Sequence, residues 1–139
     1  MHLVESGKVY LVGAGPGDPA LLTRKAEQLI RSADIILYDR LVNPFILQLA
    51  KPEIEIIDVG KRPYQKHIQQ TEINEQIILA ARRHSCVVRL KGGDPAIFGR
   101  VQEEAVALSE QGIAFEIVPG ITSASAAVAK MGIGLTARN

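Results

Sequence analysis

Two glycine-rich stretches hold the residues best suited to close contact with a small molecule, Gly13-Ala14-Gly15-Pro16-Gly17-Asp18 and Lys91-Gly92-Gly93-Asp94. Glycine lets a backbone approach a ligand that any side chain would push away. Each stretch ends on an acid followed by proline, the pairing that caps and opens a helix, so a carboxylate is expected where a helix start would otherwise attract a phosphate. A ligand met there should be neutral or cationic, such as a sulfonium, an amine or a ribose. A dinucleotide fingerprint is the rival reading of the first stretch, with Asp39 as the ribose-binding acid. Against it, Asp18 stands in the sixth position, where glycine or alanine permits close helix packing. Neither stretch matches the lysine-bearing phosphate loop. A tight turn that binds nothing would also account for Gly13, Gly15 and Gly17. Asp39 could equally cap the segment after it, and Lys61 with Arg62 is either an anion-binding pair or a solvated one.

The elements that must position these residues follow from hydrophobic periodicity. Short β-rich runs predict strands over 8–12, 34–38, 53–59, 86–90 and 115–118. A helix is predicted to open at Asp18-Pro19, with Leu22, Ala26, Leu29, Ile30 and Ala33 on one stripe. A short helical stretch follows Pro44, and longer helices are predicted over 71–84, 99–111 and 122–131. The longest loop is the polar stretch 61–70. Strands and helices alternate, so the fold class is α/β: a doubly wound, mostly parallel five-stranded sheet flanked by helices, with ligands gathering at the C-terminal strand edge.

A chain of 139 residues makes one domain. Its 47% hydrophobic and 22% charged content is globular, and a formal charge of +1 gives no bulk reason to expect nucleic acid or an anionic membrane as partner. The single cysteine, Cys86, excludes an internal disulfide and fits a reducing compartment, so a cytoplasmic location is expected. No segment has signal-peptide or membrane-span character. His2, His67 and His84 are scattered without ligand spacing, so no metal is expected.

The ordered set Val12-Gly13-Ala14-Gly15-Pro16-Gly17-Asp18-Pro19, Tyr38-Asp39-Arg40-Leu41-Val42, Gly60-Lys61-Arg62, Val88-Arg89-Leu90-Lys91-Gly92-Gly93-Asp94-Pro95 and Val118-Pro119-Gly120-Ile121-Thr122-Ser123 resembles the N-terminal half of the uroporphyrinogen-III C-methyltransferases, within the tetrapyrrole methylase family. The first motif marks the wider family. The Tyr-Asp-Arg-Leu-Val and Gly-Lys-Arg elements, with Ile97-Phe98-Gly99-Arg100, narrow it to this activity. The resemblance implies that Pro16, Gly92, Gly93, Asp94, Ile97, Thr122 and Ser123 contact S-adenosylmethionine. It implies that Asp39 and Lys61 are catalytic and face the tetrapyrrole, and the basic Arg40 and Arg62 would then receive substrate carboxylates. It further implies two methyl transfers to uroporphyrinogen III, giving precorrin-2 for sirohaem or cobalamin, without a metal and in a homodimer. Ala96, Val101-Gln102, Gly134, Ala137 and Asn139 depart from the family pattern. Enzymes of the family continue into a second α/β domain and hold the cofactor in the cleft between, so residues 1–139 are expected to be the N-terminal domain alone, supplying half of the site. The alternatives are a folded fragment without activity, a methylase of another precorrin, and a nicotinamide-binding dehydrogenase module.

Overall fold

Alternation along the inner strands sorts side chains onto two faces, and each face has become a separate core. In the computed structural model, which describes residues 6–39, 41–60, 70–92 and 101–121, five strands form one sheet. They are β1 (Lys8–Gly13), β2 (Ile35–Tyr38), β3 (Glu55–Asp58), β4 (Cys86–Lys91) and β5 (Phe115–Val118). Their order is β3-β2-β4-β1-β5, and every adjacent pair is parallel. Val9, Leu11, Ile35, Leu37 and Val87 face one side, where α2 (Gln70–Arg83) and α3 (Val101–Glu110) cover them through Ile73, Ile77 and Leu108. Val12, Ile36, Val88 and Leu90 face the other, under Ala26 and Ile30 of α1 (Arg24–Ser32) and Ile46 of the 3-10 turn Pro44–Leu49.

The winding explains why the helices divide this way. From β1 through α1 the chain moves toward the β3 edge, and from β3 through α2, then β4 through α3, it moves back. Right-handed crossovers in opposite directions put their helices on opposite faces. The predicted α/β class and doubly wound sheet are thus present, with the sheet wholly parallel among the described residues. Among those residues no helix is long and apolar enough to cross a membrane.

Two expectations need correction. No single helix opens at Asp18-Pro19. The Asp18 side chain accepts from the Ala20 amide at 2.9 Å and caps only the 3-10 turn Pro19–Leu21, and α1 starts separately behind its own cap, Thr23, whose Oγ1 accepts from the Ala26 amide at 3.1 Å. Leu22, with extended backbone at φ −73° and ψ 131°, breaks the helical path between them. Leu22 still packs on the α1 core, which is why its spacing looked helical. The third strand is shorter than 53–59, because Ile54 turns back toward the Lys51 carbonyl before pairing begins. The predicted helix 122–131 lies outside the described residues.

Candidate active site

The two glycine stretches leave neighbouring strands at the same level. Gly13 is in register with Lys91, and the Ala14 amide donates to the Lys91 carbonyl at 2.7 Å. The connections after β1 and β4 run to opposite faces of the sheet, which makes these two strand ends the switch point where a doubly wound sheet is expected to bind a ligand. Pro16 and Gly92 follow these two strands, both half-buried. Gly15, with φ +78°, turns the first loop, and an added Cβ there would meet the Leu21 carbonyl at 3.2 Å. At Gly92 a Cβ would come within 2.7 Å of the Leu41 Cβ, so the loop after β2 leaves no room for a side chain.

Asp39 follows β2 on the far side of β4, since Tyr38 is in register with Leu90. Its Oδ1 accepts from the Leu41 amide at 3.0 Å, a local turn, while the cap of the 3-10 turn Pro44–Leu49 is Asn43. Asn43 has a second task that sequence reasoning missed: its Nδ2 donates to the Gly17 carbonyl at 2.7 Å, tying the loop after β2 to the first glycine loop. Leu41 and Phe45 stand exposed on that same loop. Of the residues expected in the site, the structure thus brings Pro16, Gly92 and Asp39 to one sheet edge. Arg40, Lys61, Arg62, Gly93, Asp94, Ile97, Thr122 and Ser123 lie outside the described residues. Gly60 and Ile121, the described residues before Lys61 and before Thr122, follow β3 and β5 at that edge.

Sequence reasoning missed a buried ionic cluster directly beneath this edge. Arg89 and Lys91 of β4 and Glu104 of α3 are all buried. Glu104 Oε2 accepts from Arg89 Nε at 3.3 Å, Lys91 Nζ at 3.1 Å and Gln70 Nε2 at 3.1 Å. On its other side Arg89 Nη1 lies 3.5 Å from Asp39 Oδ2. Burial, reinforced by the adjacent Arg89 guanidinium, pulls the Lys91 ammonium below the ordinary lysine range, and Glu104 opposes that pull. A signal was available: period 2 from Val87 places Arg89 and Lys91 on one face of the strand, and Val101, Glu104 and Leu108 share a stripe of α3.

The strand order also bears on a dinucleotide. In that fold the acid that binds ribose ends the strand next to the glycine loop's own strand. Here β4 lies between β1 and β2, which sets the end of β2 about 10 Å from β1 by the usual strand spacing. The glycine loop also leads into a three-residue 3-10 turn rather than an α-helix start, so it lacks the aligned amides that hold a pyrophosphate. The case against a dinucleotide therefore rests on topology, not on Asp18 blocking an α-helix terminus.

Comparison with known proteins gives the same grouping. The family model for tetrapyrrole (corrin/porphyrin) methylases matches residues 8–139. A uroporphyrinogen-III C-methyltransferase of Bacillus subtilis (strain 168) is 57% identical over 133 residues, covering 96% of this chain and 52% of its own length. The enzyme of the same name from Priestia megaterium is 56% identical over 132 residues, covering 95% of this chain and 56% of its own. Among solved structures, the uroporphyrin-III C-methyl transferase of Thermus thermophilus, complexed with S-adenosyl homocysteine, superposes with a TM-score of 0.80 at 47% identity, over 96% of this chain and 55% of that one. The chain spans about half the length of these relatives.

Proposed function

Since this chain belongs to the tetrapyrrole (corrin/porphyrin) methylase family, we propose that it supplies half of the site of an S-adenosylmethionine-dependent C-methyltransferase that converts uroporphyrinogen III to precorrin-2. The observation that carries this reading is the pairing of the β1 and β4 ends, flanked by Pro16 and Gly92, where the β1 loop leads into a 3-10 turn rather than an α-helix start. Glycines at both strand ends let the backbone come close to a nucleoside that is cationic at sulfur. Pro16 and Gly92, with Gly93, Asp94, Ile97, Thr122 and Ser123, are the residues we assign to the methyl donor. Asp39, Arg40, Lys61 and Arg62 are those we assign to the tetrapyrrole.

S-adenosylmethionine, when bound, supplies an electrophilic methyl group, and the reduced macrocycle supplies an electron-rich carbon to take it. The protein's part is then to hold donor and acceptor in line, an effect that can contribute on the order of 7 kcal/mol or more. Asp39 sits within reach of solvent at the strand edge, with Arg89 behind it, and in this reading its carboxylate faces the pyrrole NH groups or takes up the proton lost after transfer. The exposed Leu41 and Phe45 offer an apolar lip for the macrocycle beside it. Lys61, Arg62 and Arg40 meet the substrate carboxylates. A second α/β domain closes the cleft in this reading, as the double length of the relatives suggests. The working form is a cytoplasmic homodimer.

The test is methyl transfer from S-adenosylmethionine to uroporphyrinogen III, read by mass as gain of one and then two methyl groups. Asp39→Asn should lower kcat by about 100-fold while leaving S-adenosylhomocysteine affinity unchanged. Undiminished turnover in that variant would remove Asp39 from the chemistry.

A further inference from the structure

We infer that Glu104 is a positioning residue for Asp39, acting through Arg89; the functional meaning of this rests on the assignment of Asp39 to the tetrapyrrole site. The formal charges of Arg89, Lys91 and Glu104 do not cancel. Among the described residues they balance when Asp39, 3.5 Å from Arg89 Nη1, is counted as the fourth member. Three members are buried, with side chains 2%, 6% and 0% exposed, whereas the Asp39 side chain is 22% exposed and so links the cluster, among the described residues, to the sheet edge.

A guanidinium buried on a β-strand needs its direction fixed, because it costs several kcal/mol to desolvate and gains that back only in good geometry. Arg89 is fixed at both ends: Nε donates to Glu104 Oε2 at 3.3 Å, and Nη1 donates to the Leu90 carbonyl at 2.8 Å. The same Nη1 lies 3.5 Å from Asp39 Oδ2, an ion pair at the limit of contact. The same Glu104 oxygen also holds Lys91, directly before Gly92, and Gln70, the first residue of α2. Glu104 therefore ties one side chain to the β2 loop, to the start of the second glycine stretch and to the helix after the Lys61 segment. Its other oxygen, Oε1, is buried without a hydrogen-bond partner among the described residues. A buried carboxylate that leaves one oxygen unsatisfied is a poor choice for stability alone, and it fits a group retained for the direction it gives its neighbours.

The amide of Leu41 reports on this link, since it donates to Asp39 Oδ1 at 3.0 Å. In Glu104→Gln, hydrogen exchange at Leu41 should speed up by about fivefold, the factor for roughly 1 kcal/mol, while amides of the inner strands such as Ile36 and Val88 keep their relative protection. Arg89→Lys should do the same with the charge balance intact, because an ammonium cannot span both carboxylates. Lys91→Met, which removes a cation that acts on Asp39 through its charge alone, should speed exchange at Leu41 less than Glu104→Gln does. Equal acceleration at Leu41 and the inner strands in both Glu104→Gln and Arg89→Lys would make the cluster structural and overturn the inference, as would no change at Leu41. Exchange needs neither donor nor acceptor, so this outcome is independent of whether the chain methylates uroporphyrinogen III.

Discussion

At the scale of residues, Gly92 is where the lack of a side chain matters most. Its added Cβ would sit 2.7 Å from the Cβ of Leu41, an atom fixed to the backbone and unable to swing away, so the β2 loop would have to move. Gly92→Ala should therefore destabilise the fold by about 1–3 kcal/mol, read from the urea midpoint, and should disturb Asp39 on the same loop. A neutral substitution would mean that the contact is loose. That Gly92 and Asp39 lie at one sheet edge was legible in the sequence because each follows a predicted strand. Glu104 was not. Its stripe on α3 could have been read, but a lone acid in an apolar stripe looks like a solvated position until the buried Arg89 and Lys91 are placed opposite it by the sheet register.

At the scale of elements, four of the five strands were legible to within a residue at either end, β3 being the exception: β5 occupies the predicted 115–118, and β4 extends one residue beyond the predicted 86–90. Buried parallel strands read as continuous apolar runs bounded by breakers, and Ile36-Leu37 and Val87-Val88 are such runs. The start of the first helix was not legible, because Leu22 keeps its place in the apolar stripe although its backbone is extended. Capping energetics tests the corrected boundary. Thr23→Ala should cost about 1 kcal/mol, since Thr23 caps a nine-residue helix whose Ala26 and Ile30 are fully buried. Asp18→Ala, which uncaps a three-residue exposed turn, should cost less. Thermal unfolding of the two variants gives the order, and a larger loss for Asp18→Ala would mean that the glycine loop and α1 behave as one unit.

At the scale of the molecule, winding direction decides where a ligand can bind. Because β4 is inserted between β1 and β2, the two glycine stretches become neighbours across 78 residues of chain, counted from Gly13 to Lys91, in register. No local pattern in the sequence encodes that insertion. It follows from which helix covers which face, and only the alternation of elements was readable beforehand. The same order separates Asp39 from β1, so that Pro16 and Asp39, which we assign to donor and acceptor, follow strands on either side of β4. Such a division of labour is what the account claims. The most direct measurement is titration of the isotope-labelled chain with S-adenosylhomocysteine, followed by amide chemical shifts, which detect even weak binding. The account predicts shifts at Ala14, Gly15, Gly17 and Gly92, with Gly7 and Ser85 at the opposite sheet edge unmoved. Shifts confined to that opposite edge, or none at these four residues at saturating ligand, would contradict it.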